Sequence, residues 1–179
     1  MGREHVFLVG MMGAGKTTLG KALAKRLGRE FVDTDKLLVD RTGVPVATIF
    51  EIEGEEGFRR REAAVLAEAA ACETPCVIAT GGGVVLLPAN RELMRESGTV
   101  VYLRARLENL WERTRHDTTR PLLAAPDPRA RLSELLAARE PLYSEAADVT
   151  VDTGSQSAAA LVARVVAALG EGRGTRSAP

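Results

Sequence analysis

Residues Gly10-Met11-Met12-Gly13-Ala14-Gly15-Lys16-Thr17 fit the spacing G-x-x-x-x-G-K-[ST], and each residue type in that run has a task at a phosphate group. Glycine lets the backbone take left-handed angles and come close to an anion. The successive N–H groups of Gly13, Ala14 and Gly15, continued by Lys16, Thr17 and Thr18 at the start of a helix, point partial positive charge at it. Lys16 is suited to neutralise the β- and γ-phosphates of a nucleotide. The Thr17 hydroxyl is suited to Mg2+, a hard cation that takes oxygen ligands and keeps several waters. This loop alone does not separate kinases from ATPases, GTPases or passive nucleotide binders.

The loop does its work only between a strand and a helix, and the surrounding residues supply both. Val6 to Val9 is a short apolar run ending at Gly10, and Leu19, Ala22, Leu23 and Leu27 then recur at helical spacing. A second short strand, Glu30 to Asp33, ends in Asp33-Thr34-Asp35. Short helices follow, broken at Arg41-Thr42-Gly43 and at Gly54, before a stronger helix over about Glu56 to Ala71. Cys76 to Thr80 reads as a strand buried on both faces, and it runs into Gly81-Gly82-Gly83. Pro88 opens a helix that stops near Gly98, Thr99 to Leu103 forms a fourth strand, and a helix continues through Trp111 and Arg113. From about Arg115 to Pro128 the pattern lapses into a loop with three prolines. A helix marked by Leu132, Leu135 and Leu136, a last strand Val149 to Val151 and a helix through Leu161, Val165 and Leu169 complete the domain.

This alternation predicts an α/β fold with a parallel sheet, covered by helices on both faces, in one domain over residues 1–170. The tail from Glu171 to Pro179 is small and polar and reads as disordered. Parallel sheets bind ligands at the carboxyl ends of their strands, so the phosphate loop, Asp33 to Asp35 and Gly81 to Gly83 should share one crevice.

Composition narrows the partners. Lys plus Arg total 24 and Asp plus Glu total 24, which leaves no global field to gather nucleic acid or anionic lipid. No apolar run approaches the ~18 residues that would span a bilayer, and the amino terminus lacks a signal-peptide layout, so a cytoplasmic protein is expected. Cys72 and Cys76 have no companion pair and read as free thiols; His5 and His116 stand apart, and Trp111 reads as packing.

After the phosphate loop come Asp33-Thr34-Asp35, Gly57-Phe58-Arg59-Arg60, Gly81-Gly82-Gly83, Arg120-Pro121-Leu122-Leu123 and Arg139-Glu140-Pro141-Leu142-Tyr143. In order and spacing, over roughly residues 5–153, the chain resembles the shikimate kinase family. The resemblance implies a five-stranded sheet with a mobile lid at about residues 114–128, and transfer of the γ-phosphoryl group of ATP to the 3-hydroxyl of shikimate. It implies that Arg59 and Arg139 grip the substrate carboxylate, for which a planar guanidinium fork is better shaped than lysine. Asp35 would orient the acceptor hydroxyl and take its proton, Asp33 would stand near Mg2+, and Gly81, Gly82 and Gly83 would contact the substrate. A helix cap made by Thr34 or Asp35 is the plainer reading of the Asp pair.

Arg120 would come in on the lid to counter charge on the transferring group, and Arg113 would stack on adenine. In the loop Asp152 to Ser157, arginine and proline are absent where the family often carries them, leaving Gln156 as the candidate nucleotide contact. ATP and shikimate are thus the expected partners, with Mg2+ as cofactor, acting on a monomer. A gluconate-type kinase is the closest enzymatic rival, and a nucleotide-binding module without catalysis is a second.

Overall fold

A computed structural model describes residues 4–172 of the chain. Five strands, β1 (His5–Val9), β2 (Glu30–Asp33), β3 (Cys76–Ala79), β4 (Gly98–Ala105) and β5 (Val149–Thr153), form one sheet in the order β2-β3-β1-β4-β5. Every pairing is parallel. β1 and β3 are buried along their whole length, which is why they are written in apolar residues without alternation. The chain leaves β1 toward β2 on one side and reaches β4 on the other, so the crevice beyond β1 is the topological switch point. That is where Gly10 to Gly15 lie.

Among the described residues seven helices flank the sheet: α1 (Lys16–Leu27), α2 (Thr34–Thr42), α3 (Val46–Ala70), α4 (Pro88–Ser97), α5 (Leu107–Thr114), α6 (Pro128–Ala146) and α7 (Ala158–Gly172). α1 and α7 pack against each other on one face, with α1 over β2 and β3 and α7 over β5. On the other face α4 and α6 pack together over β4. The main core lies between these layers; a smaller cluster of Leu38, Ile49, Phe58 and Val65 joins α2 to α3.

Local chemistry sets the element boundaries. Gly28 takes a left-handed conformation and closes α1 by donating to the Ala24 and Lys25 carbonyls. Pro88 starts α4, where its missing N–H costs no hydrogen bond. The break expected at Gly54 is a kink within α3, at φ 70° and ψ −178°, a conformation essentially reserved for glycine. β4 is longer than its apolar run suggests, because pairing with β1 draws in Gly98 and pairing with β5 draws in Ala105. The expected irregular segment before Pro128 contains a 3-10 turn at Pro121–Leu123. The closing helix still includes Glu171 and Gly172, placed in the tail from sequence; the rest of that tail, residues 173–179, lies outside the described residues. Cys72 and Cys76 are free thiols with sulfurs 3.6 Å apart, and Trp111 packs against the core. Among the described residues no helix is long and apolar enough to cross a membrane.

Candidate active site

The phosphate loop is threaded tightly between β4 and α5. Gly10, Gly13 and Gly15 have φ of 150°, 80° and 94°, so a side chain at any of them would strain the backbone. There is also no room, since a Cβ on Gly10 would fall 2.7 Å from the Leu103 carbonyl oxygen and one on Gly13 would fall 2.8 Å from Thr114 Cγ2. Lys16 Nζ donates to the carbonyls of Gly10 (2.6 Å) and Met11 (2.9 Å). Desolvation pushes its pKa down to about 8, partly offset by the negative charge of Asp35.

Asp33 serves two elements at once. Its Oδ1 accepts from the backbone N–H of Asp35 (3.0 Å) and Lys36 (3.3 Å), capping α2, while Oδ2 accepts from the Thr17 hydroxyl at 3.0 Å. This corrects the expected cap: Asp33 makes it, rather than Thr34 or Asp35, which leaves the Asp35 carboxylate available. Thr17 and Asp33 put a hydroxyl and a carboxylate oxygen side by side at the phosphate loop, a donor set that suits Mg2+.

Two adjoining cavities meet over this edge of the sheet. One, of about 240 Å³, is lined by phosphate-loop residues including Lys16, Thr17 and Thr18, and by Asp33. The other, of about 230 Å³, is lined by Arg59, Arg139 and Gly83, with Phe50, Phe58 and Leu122 as apolar wall. Met12, Asp35, Gly81, Gly82 and Arg120 line both. Asp35 is therefore open to the crevice yet recessed in it, and that enclosure, together with Asp33, raises its carboxyl pKa.

Arg59 and Arg139 come from different helices and are both buried, at 8% and 2% exposure. Arg59 Nη1 donates to Glu62 Oε1 at 2.9 Å, and its Nη2 to Glu55 at 3.3 Å. Glu62 is itself buried, and desolvation raises its pKa against the opposing pull of Arg59. The glycine turn is hemmed in by these groups. A Cβ on Gly81 would fall 2.6 Å from Glu62 Oε2, one on Gly82 would fall 3.3 Å from Arg139 Nη1, and one on Gly83 would collide with the Arg59 guanidinium. None of the three lies in the left-handed region, so what disfavours a side chain here is the approach of other side chains, closest at Gly83, and not backbone conformation.

Around the rim, Arg120 pairs with Asp117 at 2.8 Å. Arg113 ties two loops together, donating to the Gly13 carbonyl (2.9 Å) and the Gly154 carbonyl (3.3 Å). Gln156 is exposed and accepts from the Gly154 N–H at 2.7 Å. The loop after β5 is thus held against the phosphate loop, beside the phosphate side of the crevice.

A family profile described as shikimate kinase matches residues 12–170. The chain belongs to the shikimate kinase family. Shikimate kinase from Bordetella pertussis (strain Tohama I) is 59% identical over 157 residues, covering 88% of this chain and 74% of that protein. The structure of shikimate kinase from Acinetobacter baumannii in complex with shikimate superposes with a TM-score of 0.92 at 41% identity, over 98% of this chain and 96% of that one. A gluconokinase from Sinorhizobium meliloti 1021 shares the fold alone, with a TM-score of 0.62 at 22% identity.

Within this shikimate kinase family member the crevice brings together Lys16, Thr17, Asp33, Asp35, Arg59, Gly81 to Gly83, Arg120 and Arg139. It does not include Arg113 or Gln156, which stand at its edge. Sequence reasoning missed Glu62 and the apolar wall. A carboxylate three residues after Arg59 on a helix was a signal for the first. Phe58 stood inside the motif Gly57-Phe58-Arg59-Arg60 but with no role assigned to it, and Phe50 carried no signal, because their meeting in the cavity wall depends on the kink at Gly54.

Proposed function

We propose that this chain transfers the γ-phosphoryl group of ATP to the 3-hydroxyl of shikimate, giving shikimate 3-phosphate and ADP on the route to chorismate and the aromatic amino acids. The observation that carries this reading is Asp35 at the junction of two cavities, one built from the phosphate loop and one from two buried arginines. The shikimate bound to the Acinetobacter baumannii relative supports the same acceptor.

The phosphate loop and Lys16 hold the β- and γ-phosphates, with Gly13, Ala14, Gly15, Thr17 and Thr18 offering donors. Arg59 and Arg139 bind the acceptor carboxylate, their burial making each charge-assisted hydrogen bond stronger than it would be in water. Glu62 keeps Arg59 aimed at the cavity. Asp35 accepts the hydrogen bond of the attacking hydroxyl; its raised pKa makes it a better proton acceptor than an ordinary aspartate. Arg120 answers the charge that gathers on the transferring group. Mg2+ would be held by the Thr17 hydroxyl, with Asp33 beside it through water, and when bound it would offset the charge of the phosphates.

Residues 114–128 form a lid over both substrates, excluding water that would otherwise hydrolyse ATP. Arg113 faces the adenine side. The same reading takes the protein to work as a monomer in the cytoplasm. The test is ADP release with Mg2+ and ATP, comparing shikimate with quinate, gluconate and AMP at equal concentration. Stimulation by shikimate alone is expected. Stimulation by gluconate instead would overturn the acceptor, and no stimulation by any of them would overturn catalysis.

A further inference from the structure

Tyr143 is fully buried, and its ring stacks on Tyr102 with centroids 5.0 Å apart at 25°. Its hydroxyl donates to the Gly82 carbonyl at 2.5 Å and lies 3.6 Å from Met11 Sδ in the phosphate loop. Arg139 sits one helical turn earlier on α6, against the same hydroxyl. One phenol therefore touches the three segments that must be in register for transfer: the phosphate loop, the glycine turn and the helix of the second arginine.

The glycine turn needs such a tie. Three consecutive glycines carry no side chains to hold them, and glycine loses more conformational freedom on ordering than any other residue. Gly82 lies close to Arg139 and to the backbone of Met12 and Gly10, so the orientation of its peptide bears on both the second arginine and the phosphate loop. A buried hydrogen bond to its carbonyl fixes that peptide. Stacking on Tyr102 in turn fixes the phenol, because both rings are held in the core.

We propose that Tyr143 is a positioning residue for the acceptor, holding the Gly82 peptide and thereby the glycine turn in the conformation that binds the phosphoryl acceptor. It touches neither reacting atom. The inference rests on the acceptor reading above. Without the hydroxyl the turn samples other peptide orientations, and apparent affinity falls by the fraction of time it spends in the competent one.

The test is Tyr143→Phe, which keeps the ring and removes the tie. The KM for shikimate should rise about 3- to 10-fold, the scale of one lost hydrogen bond, with kcat and the KM for ATP within about twofold of the parent. Tyr102→Phe removes the neighbouring hydroxyl without touching the turn and serves as the control; it should leave the shikimate KM unchanged whatever it does to melting temperature. A variant that melts lower but binds shikimate normally would reduce Tyr143 to packing, and equal losses for both substrates would also sink the proposal. Should Tyr143→Phe fail to fold, Tyr102→Phe gives a second reading. Only two tyrosines are present in the chain, so 13C-tyrosine labelling then reports Tyr143 alone. Its signal should shift when shikimate is added and hold still otherwise; a signal blind to shikimate would overturn the idea. The parent assayed alongside separates the failures. An unstimulated parent sinks the acceptor reading itself, whereas a stimulated parent with an unaffected variant sinks only the role of Tyr143.

Discussion

Asp35 is a carboxylate that its surroundings disfavour as an anion, by enclosure first and by Asp33 second. Replacing it with asparagine removes that cost along with the proposed proton acceptor. Asp35→Asn should lower kcat by ~10²- to 10⁴-fold, leave the KM for ATP near the parent value, and melt at or above the parent temperature; near-native turnover would exclude a direct role. Lys16 carries the opposite imbalance. Its folded pKa is about 8 against an ordinary 10.5, so between those values the unfolded chain binds the extra proton and this group's contribution to stability rises with pH. A bound polyphosphate restores the ammonium. ATP binding near pH 8 to 9 should therefore take up a proton, and the uptake should fade near pH 6.5. Calorimetric titration in two buffers of different ionisation enthalpy measures it; equal heats in both would show that Lys16 is already charged. Arg139→Ala should weaken shikimate binding at least ~10-fold and spare ATP, as read by direct titration of each ligand.

At the scale of elements, the cavity lined by Arg59 and Arg139 depends on a single bend. Gly54 divides α3 into a segment carrying Phe50 and a segment carrying Phe58, Arg59 and Glu62, and the two phenyl rings meet with centroids 4.5 Å apart. Gly54→Ala forces a side chain into a glycine-only conformation. It should destabilise the fold by roughly 1–3 kcal/mol and raise the shikimate KM with the Phe50 wall displaced. Denaturant unfolding and steady-state kinetics check the two halves of that statement, and an unchanged midpoint would mean that the chain can bend elsewhere. The position of this bend was legible in sequence from glycine alone. Its consequence was not, because nothing in the run Phe50 to Glu62 says that the two halves of α3 fold back over a common cavity. The same holds for Asp33: a cap before α2 is readable from Asp33-Thr34-Asp35, but which of the three makes it follows from the end geometry of β2, where Asp33 also meets Thr17.

For the molecule as a whole, Arg120 is the only residue of the 114–128 segment that lines both cavities, so the proposed closure and the proposed chemistry would be linked through it. Arg120→Ala should reduce kcat at least ~100-fold with smaller effects on either KM. Tryptic cleavage after Arg115 should slow when shikimate and a non-hydrolysable ATP analogue are added together and much less with either alone; equal protection by one ligand would deny a joint lid. What the sequence by itself determined are features whose physics is local. The phosphate loop is contiguous, its shape follows from glycine dihedrals and the amino end of α1, and strands announce themselves as short apolar runs and helices by a period of 3.6 over a few neighbours. Only the tertiary structure decided the convergence. Arg59 and Arg139 meet because the order β2-β3-β1-β4-β5 brings α3 and α6 to the same edge of the sheet. The burial of Glu62, the crowding around Gly81 to Gly83, and the reach of Tyr143 to Gly82 likewise arise from packing between segments distant in sequence, where burial and contact are set by the crossovers and not by any residue's neighbours along the chain.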